Sequence, residues 1–99
     1  MVRIAVDRRK LAAFCRRNRI RRLAFFGSVL RDDFRARSDV DVLVEFEPGA
    51  SVGFIRLAGM EQEFSELLGR KADLNTPGLL NRHFRAAVLK EAEVQYVSA

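Results

Sequence analysis

The stretch from Phe26 to Phe46 limits what this chain can fold into more than any other part of the sequence. A Gly27-Ser28 step closes an apolar run, and a regular alternation of apolar and polar residues begins at Asp39. Even positions hold Val40, Val42, Val44 and Phe46, and odd positions hold Asp39, Asp41, Leu43 and Glu45. This period of two predicts a strand with one apolar face. Because strand residues two apart point the same way, Asp39 and Asp41 are expected to project together from one edge of a sheet.

Adjacent carboxylates and a Gly-Ser turn are typical of a site for a metal ion and a nucleoside triphosphate. The two carboxylates repel each other unless a cation lies between them, and Mg²⁺ prefers carboxylate oxygens. Gly27 lets the backbone approach a ligand closely, and the amides of the following turn, with the Ser28 hydroxyl, can hold phosphate oxygens. Taken singly, Asp-x-Asp is more often a solvated strand end and Gly-Ser a plain turn. Their combination between two strand-like runs favours the nucleotide site.

The same residues resemble the signature of the nucleotidyltransferase superfamily, which includes DNA polymerase beta and the kanamycin nucleotidyltransferases. That signature is Gly-Ser, about ten residues, then Asp-x-Asp on a strand, with a third carboxylate on a later strand. The short chain and the form Gly-Ser…Arg…Ser-Asp-x-Asp are most similar to the minimal nucleotidyltransferases (the MntA-like family), whose members are commonly antitoxins paired with HEPN-domain toxins. The resemblance covers roughly residues 10–96. Relatives often have Arg-Gly where this chain has Arg31-Asp32.

The resemblance implies a role for each matching residue. It implies that the catalytic carboxylates, which bind two Mg²⁺ ions with Asp41 bridging, are Asp39, Asp41 and Asp73. Asp73 is further implied to complete the acceptor-side metal site and to take the hydroxyl proton. The residues implied to hold the nucleotide are Gly27, Ser28, Arg31 and Ser38. Arg37 is an alternative to Arg31 for adding charge at the triphosphate, and plain surface solvation is the alternative for both arginines.

Asp73 is also singled out by the pattern of its own segment, Arg70 to Pro77. Ala72 and Leu74 point one way along a short strand and Asp73 points the other way, toward the face that would carry Asp39 and Asp41. The alternative interpretation is that Asp73 only balances the charges of Arg70 and Lys71. The pattern and the family resemblance together favour Asp73 as the third carboxylate of the site.

The activity implied by the resemblance is transfer of AMP from ATP, or of a nucleotide from another nucleoside triphosphate, to a hydroxyl group. The expected acceptor is a tyrosine of a cognate HEPN toxin, so that the chain acts as the antitoxin of a type VII-like pair. One alternative is a non-catalytic antitoxin that neutralises a toxin by occlusion. Another is a small basic nucleic-acid-binding protein, which ranks below the nucleotide site. A homodimer and a hetero-oligomer with the toxin both remain open.

Charge is distributed unevenly along the chain, whose net charge is +5. Residues 1–37 hold 12 Lys/Arg and 3 Asp/Glu, whereas residues 38–99 hold 6 and 10. The basic part is compatible with nucleic-acid binding, with a solvated basic helix, or with steering of an anionic nucleotide or an acidic partner. No basic stretch interleaved with aromatics supports base stacking. The lone Cys15 excludes an intrachain disulfide, and the absence of a membrane-length apolar run or signal pattern predicts a cytoplasmic protein.

The element pattern predicts a single α/β (α+β) domain over residues 1–99 with the nucleotidyltransferase fold. Three strands are expected in a small mixed sheet, with helices packed mainly on one face and the three aspartates on the exposed face. The predicted helices are Arg8–Asn18, Gly53–Leu68 and Asn81–Glu93, with a short one at Val29–Arg31. The predicted strands are Arg22–Phe26, Asp39–Phe46 and a short one within Arg70–Pro77. Phe54 and Leu57, and in the last helix Phe84, Val88 and Leu89, are expected to point into the core.

Overall fold

Helices and strands form close to their predicted positions in the computed structural model, which describes residues 4–32 and 34–98. The helices are α1 (Arg8–Arg17), α2 (Phe54–Leu68) and α3 (Arg82–Glu91), with 3₁₀ turns at Gly27–Leu30 and Pro77–Leu79. The strands are β1 (Ile20–Phe26), β2 (Val40–Phe46), β3 (Ala72–Asn75) and β4 (Glu93–Val97). Asp33, in the predicted irregular link before β2, lies outside the described residues. No helix among the described residues combines the length and apolarity needed to cross a bilayer.

The ends of α1 and α2 are set by local residue chemistry. The Asp7 carboxylate accepts the backbone N–H groups of Arg9 and Lys10 at 3.0 and 3.1 Å, which satisfies two donors that a helix start leaves open. Gly69 ends α2 with φ of +73°, the left-handed conformation that favours glycine. The predicted start of α1 at Arg8 and the predicted end of α2 at Leu68 are confirmed.

The sheet is mixed and has the strand order β3-β2-β1-β4. β1 runs antiparallel to β2 and β4, and β2 runs parallel to β3, with α2 as the crossover between them. The strand that carries Asp73 thus lies directly beside the strand that carries Asp41. The expected strand number is wrong by one, because Glu93–Val97 pairs with the free edge of β1 as a fourth strand.

One face of the sheet forms the main core, where the apolar side chains of β2 pack beneath α1 and α2. Phe14, Phe25 and Phe64 are fully buried there. The Phe64 ring is tilted against that of Phe14, with centroids 5.0 Å apart, and meets that of Phe25 edge to face at 6.3 Å. The other side chains buried in this core come from α1, the first three strands, the Gly27–Leu30 turn and α2: Leu11, Cys15, Ile20, Leu23, Val29, Val40, Val42, Val44, Met60, Ala72 and Leu74. This layer holds β2 rigidly, and with it the carboxylates on the opposite face.

The opposite face is not left open as expected, since α3 covers part of it. Leu43 lies on the same face of β2 as Asp41. It is only 3% exposed and packs with Phe26, Leu80 and Val88. Of the apolar residues of α3 predicted to point inward, Val88 is buried, whereas Phe84 and Leu89 are about half exposed. The prediction for those two is wrong because α3 packs on the sheet through Val88, which contacts the cluster that contains Phe26 and Leu43.

The N-terminal turn of α2 also departs from expectation. Phe54 is 74% exposed and Ile55 is 92% exposed, while the neighbouring Leu57 is half-buried against the core. The prediction that Phe54 belongs to the core is wrong because the first turn of α2 lines a surface cavity, together with Phe46, Val52 and Leu79, instead of packing into the core.

Candidate active site

The three predicted aspartates lie together at one edge of the sheet. Asp41 is the second residue of β2, and Asp39 lies two positions before it, just outside the strand. Asp73 of β3 is the direct register partner of Asp41 across the parallel ladder. Neighbouring strands are about 4.8 Å apart, so paired residues with the same facing bring their side chains close together. Asp41 is therefore the central carboxylate, with Asp73 on one side along the sheet.

On its other side, Asp41 contacts the Gly27 turn. Phe26, the last residue of β1, is the register partner of Asp41, and Gly27 follows with φ of +75°. A Cβ atom added at Gly27 would overlap the Asp41 Oδ2 atom and lie 3.3 Å from its Cγ. Only glycine fits here, because the position requires both a left-handed backbone and space for a carboxylate. The turn and the central aspartate thus form one close-packed unit.

Charge accumulates at Asp41. Its pKa is raised above the usual value, first by burial and then by the carboxylates of Asp73 and Asp39, while Arg31 acts in the opposite direction. Burial disfavours the ionised form, and like charges nearby disfavour it further. The ionised carboxylates of the cluster therefore repel one another, which is typical of a site that binds a cation.

The predicted nucleotide-binding residues surround this cluster. Ser28 is half-buried in the 3₁₀ turn after Gly27, and Arg31 is exposed at the end of that turn, where its charge acts on Asp41. Ser38 directly precedes Asp39, but its hydroxyl already accepts the backbone N–H of Arg35 at 2.9 Å. The Ser38 side chain therefore closes the local turn, and Arg37, the alternative to Arg31, is exposed in the same segment.

Arg70 organises the segment that leads into Asp39, a role that the sequence pattern did not indicate. Its guanidinium donates to the carbonyl oxygens of Arg35, Ala36 and Ser38 at 2.8 to 3.1 Å. The same group lies over the Phe34 ring, 4.3 Å from the centroid. Arg70 thus fastens the start of β3 to the link before β2.

The charges next to Asp73 in sequence do not serve to balance it. Lys71 pairs with Asp39, with 3.7 Å between Nζ and Oδ2, and Arg70 binds the carbonyl groups described above. From the other side, the Glu91 carboxylate at the end of α3 accepts the N–H of Gly27 at 3.4 Å. The Lys71–Asp39 pair and the Glu91–Gly27 bond leave no signal in the sequence, because each joins residues far apart in the chain.

Several basic residues of the first third of the chain lie away from the aspartates. β1 spans about 20 Å from Ile20 to Phe26 at the usual rise per residue, and Arg19, Arg21 and Arg22 lie at its far end. Arg21 and Arg22 reach Glu45 at 3.5 and 3.8 Å, and Arg17 pairs with Glu63. These arginines are thus placed to form ion pairs on the far side, and Arg31 is the arginine whose charge acts on the site.

The three carboxylates fit a divalent cation by their chemistry. They are hard oxygen donors on adjacent strands, and the like charges that raise the pKa of Asp41 are those that a cation compensates. Among residues 4–32 and 34–98, no three Asp, Glu, His or Cys side chains are already arranged closely enough to hold a metal ion. The fit therefore depends on donor type and charge.

Sequence comparison identifies named relatives. The nucleotidyltransferase domain family matches residues 8–95. A sequence-predicted protein adenylyltransferase of Methanocaldococcus jannaschii is 31% identical over 85 residues, which cover 86% of this chain and 89% of that protein. The protein adenylyltransferase MntA of Thermococcus cleftensis is 33% identical over 72 residues, covering 73% of this chain and 71% of that protein.

Solved structures share the fold. A predicted minimal nucleotidyltransferase, 34% identical, superposes with a TM-score of 0.70 over 86% of this chain and 85% of that one. A toxin–antitoxin structure with AMP-PNP superposes with a TM-score of 0.76 over 94% of this chain and 75% of that one, at 17% identity. The tri-AMPylated Shewanella oneidensis HEPN toxin in complex with MNT antitoxin gives 0.67 over 92% and 70%, also at 17% identity. Since the family match spans most of the chain and named relatives exceed 30% identity over most of their length, the chain belongs to the nucleotidyltransferase domain family, among the minimal nucleotidyltransferases related to the protein adenylyltransferase MntA.

Proposed function

We propose that this chain is a protein adenylyltransferase that transfers AMP from ATP to a hydroxyl group of a HEPN-domain toxin, and so acts as its antitoxin. The observation that carries the proposal is the position of Asp41, which is in register with Asp73 and in contact with the Gly27 turn. The names of the relatives, protein adenylyltransferase in both cases, support the reaction. The structural neighbour that contains an AMPylated HEPN toxin supports the acceptor.

In the proposed reaction, the acceptor hydroxyl oxygen forms a bond to the α-phosphorus of ATP. The bond from that phosphorus to the bridging oxygen breaks, and pyrophosphate leaves. Mg²⁺ held by Asp39, Asp41 and Asp73 would supply activation of the hydroxyl and neutralisation of charge on the phosphates, as paired metal ions do in this chemistry. Asp73 accepts the hydroxyl proton, and its exposure on the strand beside Asp41 supports this role.

The remaining residues orient the triphosphate. The Gly27–Leu30 turn offers backbone N–H groups and the Ser28 hydroxyl to the β- and γ-phosphates. Arg31 adds positive charge, a role supported by its influence on Asp41. Ser38 contributes through the backbone turn that its hydroxyl closes, which sets the entry of the chain into Asp39. Arg70 stabilises the same entry from β3.

The nucleic-acid alternative is not favoured by the surface. The arginines of β1 lie at the end of the sheet opposite the aspartates, and those at positions 21 and 22 are paired with Glu45. A basic surface partly neutralised by internal ion pairs releases fewer counterions on binding a polyanion. We therefore assign these residues to fold stability and to the acidic side chains that they contact.

The proposal is tested by intact-mass measurement of the HEPN-domain protein encoded beside this chain, after incubation with ATP and Mg²⁺. We expect wild type to add AMP, and Asp41→Asn to lower the rate by at least about 100-fold, since charge stabilisation at phosphorus depends on it. Glu47→Gln is the matched control, because Glu47 follows the opposite end of β2, and its rate should equal that of wild type. A HEPN protein neutralised without added mass, equally by wild type and Asp41→Asn, would contradict the proposal and leave occlusion as the mechanism.

A further inference from the structure

Asp73 lies on the shortest of the four strands in the described sheet. β3 has four residues, Ala72–Asn75, and it lies at the edge of the sheet with β2 on one side only. Strands this short at an edge fray or shift register readily when their outer N–H groups have no partner. A shift of one residue would turn Asp73 to the opposite face, and a shift of about 1 Å would be felt at the chemistry.

The outer edge of β3 is held by two side chains of α2. The Ser65 hydroxyl accepts the Ala72 N–H at 2.9 Å, and the Glu61 Oε2 atom accepts the Leu74 N–H at 2.8 Å. The Ser65 hydroxyl in turn donates to the Glu61 carbonyl oxygen at 2.8 Å. Glu61 and Ser65 are one helical turn apart, so their spacing matches two alternate N–H groups of a strand. We call this pair of contacts the β3 clamp.

Asp73 is the residue between the two clamped positions. Ala72 and Leu74 turn their side chains into the core beneath α2, where both are buried, and Asp73 is exposed on the other face. Holding the amides on both sides of Asp73 sets the height and register of that residue against Asp41. Glu61 itself is part-buried and bonded to this edge.

We propose that Glu61 and Ser65 are positioning residues for the active site, acting through the backbone of β3 to hold Asp73 beside Asp41. The inference rests on the proposed function, in which Asp73 contacts the reacting hydroxyl. A bond from a carboxylate to an N–H group is stronger and shorter than one between neutral groups, so Glu61 is the dominant member. Neither side chain touches the substrate in this proposal, and neither lies on the aspartate face.

The test compares Glu61→Ala, Glu61→Gln and Ser65→Ala with Glu66→Ala, an exposed acid of the same helix, as matched control. Amide hydrogen exchange should accelerate at Leu74 in Glu61→Ala and at Ala72 in Ser65→Ala, and should be unchanged in Glu66→Ala. Mn²⁺ is used as a paramagnetic probe. Its broadening of the Asp73 NMR signal, relative to that of Asp41, should fall in Glu61→Ala. Glu61→Gln keeps an amide oxygen as acceptor and should restore both signals toward wild type.

The kinetic consequence should be confined to the chemical step. For AMP transfer to the HEPN protein, we expect kcat of Glu61→Ala to fall about 10- to 100-fold, as for other residues that orient metal ligands. KM for ATP should stay within about twofold, because Asp39, Asp41 and the Gly27 turn are untouched. Glu61→Gln should recover most of kcat, and Ser65→Ala should show a smaller loss in the same direction.

Other results would contradict either the role of the β3 clamp or the proposed function, and the two cases can be told apart. Faster exchange at Leu74 with unchanged Mn²⁺ broadening and wild-type kcat would mean that the clamp only stabilises the fold. A loss of activity in Glu66→Ala equal to that in Glu61→Ala would overturn the inference too. If Glu61→Ala does not fold, Ser65→Ala and Glu61→Gln decide by the same readouts. If wild type transfers no AMP, the proposed function fails, and unchanged Mn²⁺ broadening at Asp73 then overturns the clamp on its own.

Discussion

Replacing Gly27 by alanine should damage both the fold and the site, by an amount that the structure lets us separate into two parts. The first part is conformational, because φ at Gly27 is +75° and a residue with a Cβ atom pays about 1–2 kcal/mol there. The second part is steric. The new Cβ would overlap the Asp41 Oδ2 atom, and overpacking of this kind costs about 1–3 kcal/mol. We expect a total loss of about 2–5 kcal/mol in the free energy of unfolding.

Gly69→Ala is the matched control for the conformational part. Gly69 has φ of +73°, and an added Cβ there meets nothing within 4 Å. Its substitution should therefore cost only the first part, and the change in the unfolded state is the same for both variants. The assay is urea unfolding followed by circular dichroism, and each kcal/mol should also lower Tm by about 4–8 °C in a domain of this size.

A double-mutant cycle isolates the contact with Asp41. In an Asp41→Ala background the carboxylate is gone, so Gly27→Ala should then cost no more than Gly69→Ala. The coupling energy between positions 27 and 41 should be about 1–3 kcal/mol. A Gly27→Ala variant that is as stable as Gly69→Ala, or a coupling energy near zero, would refute the reasoning that the turn and the central aspartate are packed as one unit.

Three further predictions concern other groups. Because burial and the neighbouring carboxylates raise the pKa of Asp41 in the folded state, the folded chain binds that proton more tightly. Asp41→Asn should therefore be more stable than wild type in urea at pH 7 and lose the advantage as the pH falls through the raised pKa toward 3.8; an advantage that grows in acid would contradict this. Burial raises the pKa of the Cys15 thiol to about 12, so Cys15 should react with iodoacetamide at pH 8 only in urea, and rapid labelling of the folded chain would count against its burial. Ile55→Ser should change the free energy of unfolding by less than about 0.5 kcal/mol, because the side chain is 92% exposed, whereas a loss above 2 kcal/mol would show that Ile55 is packed.

Asp41 and its neighbours could be predicted from the sequence because their placement follows from local rules. A period of two places Asp39 and Asp41 on one face of a strand, and the same parity rule assigns Asp73. The Gly27-Ser28 step marks the end of the preceding strand, and antiparallel pairing of β1 with β2 then brings Gly27 to Asp41. The assignment of the three aspartates uses only the alternation of side chains along a strand, whereas the pairing of β1 with β2 is read from the structure.

The coverage of the aspartate face could not be derived in this way. Leu43 is an apolar residue on the same face of β2 as Asp41. It was the one local sign that something packs against that face. Which element does so depends on where the chain turns after β3, at Pro77–Leu79, and this is a tertiary outcome. β4 was missed because burial does not alternate along Glu93–Val97: Glu93, Val94 and Val97 are exposed, and the adjacent Gln95 and Tyr96 are both partly buried.

Contacts from a side chain to a distant backbone group leave the least trace in the sequence. Glu61 and Arg70 are charged residues on or beside elements whose apolar pattern is complete without them, and such residues are usually solvated. Their bonds to β3 and to the link before β2 appear only when the chain is folded. The residues that we propose to position the site therefore come from the structure alone.

The measurement that tests the central claim most directly uses ATP carrying a radioactive label on either the α- or the γ-phosphate. The chain, Mg²⁺ and the HEPN-domain protein encoded beside it are incubated with each, and label retained on the HEPN protein is counted after denaturing electrophoresis. Transfer of AMP predicts retention of the α-label, none of the γ-label, and loss of the α-signal with Asp41→Asn but not with Glu47→Gln. Retention of the γ-label, or no retained label while the HEPN protein is still neutralised, would contradict the account.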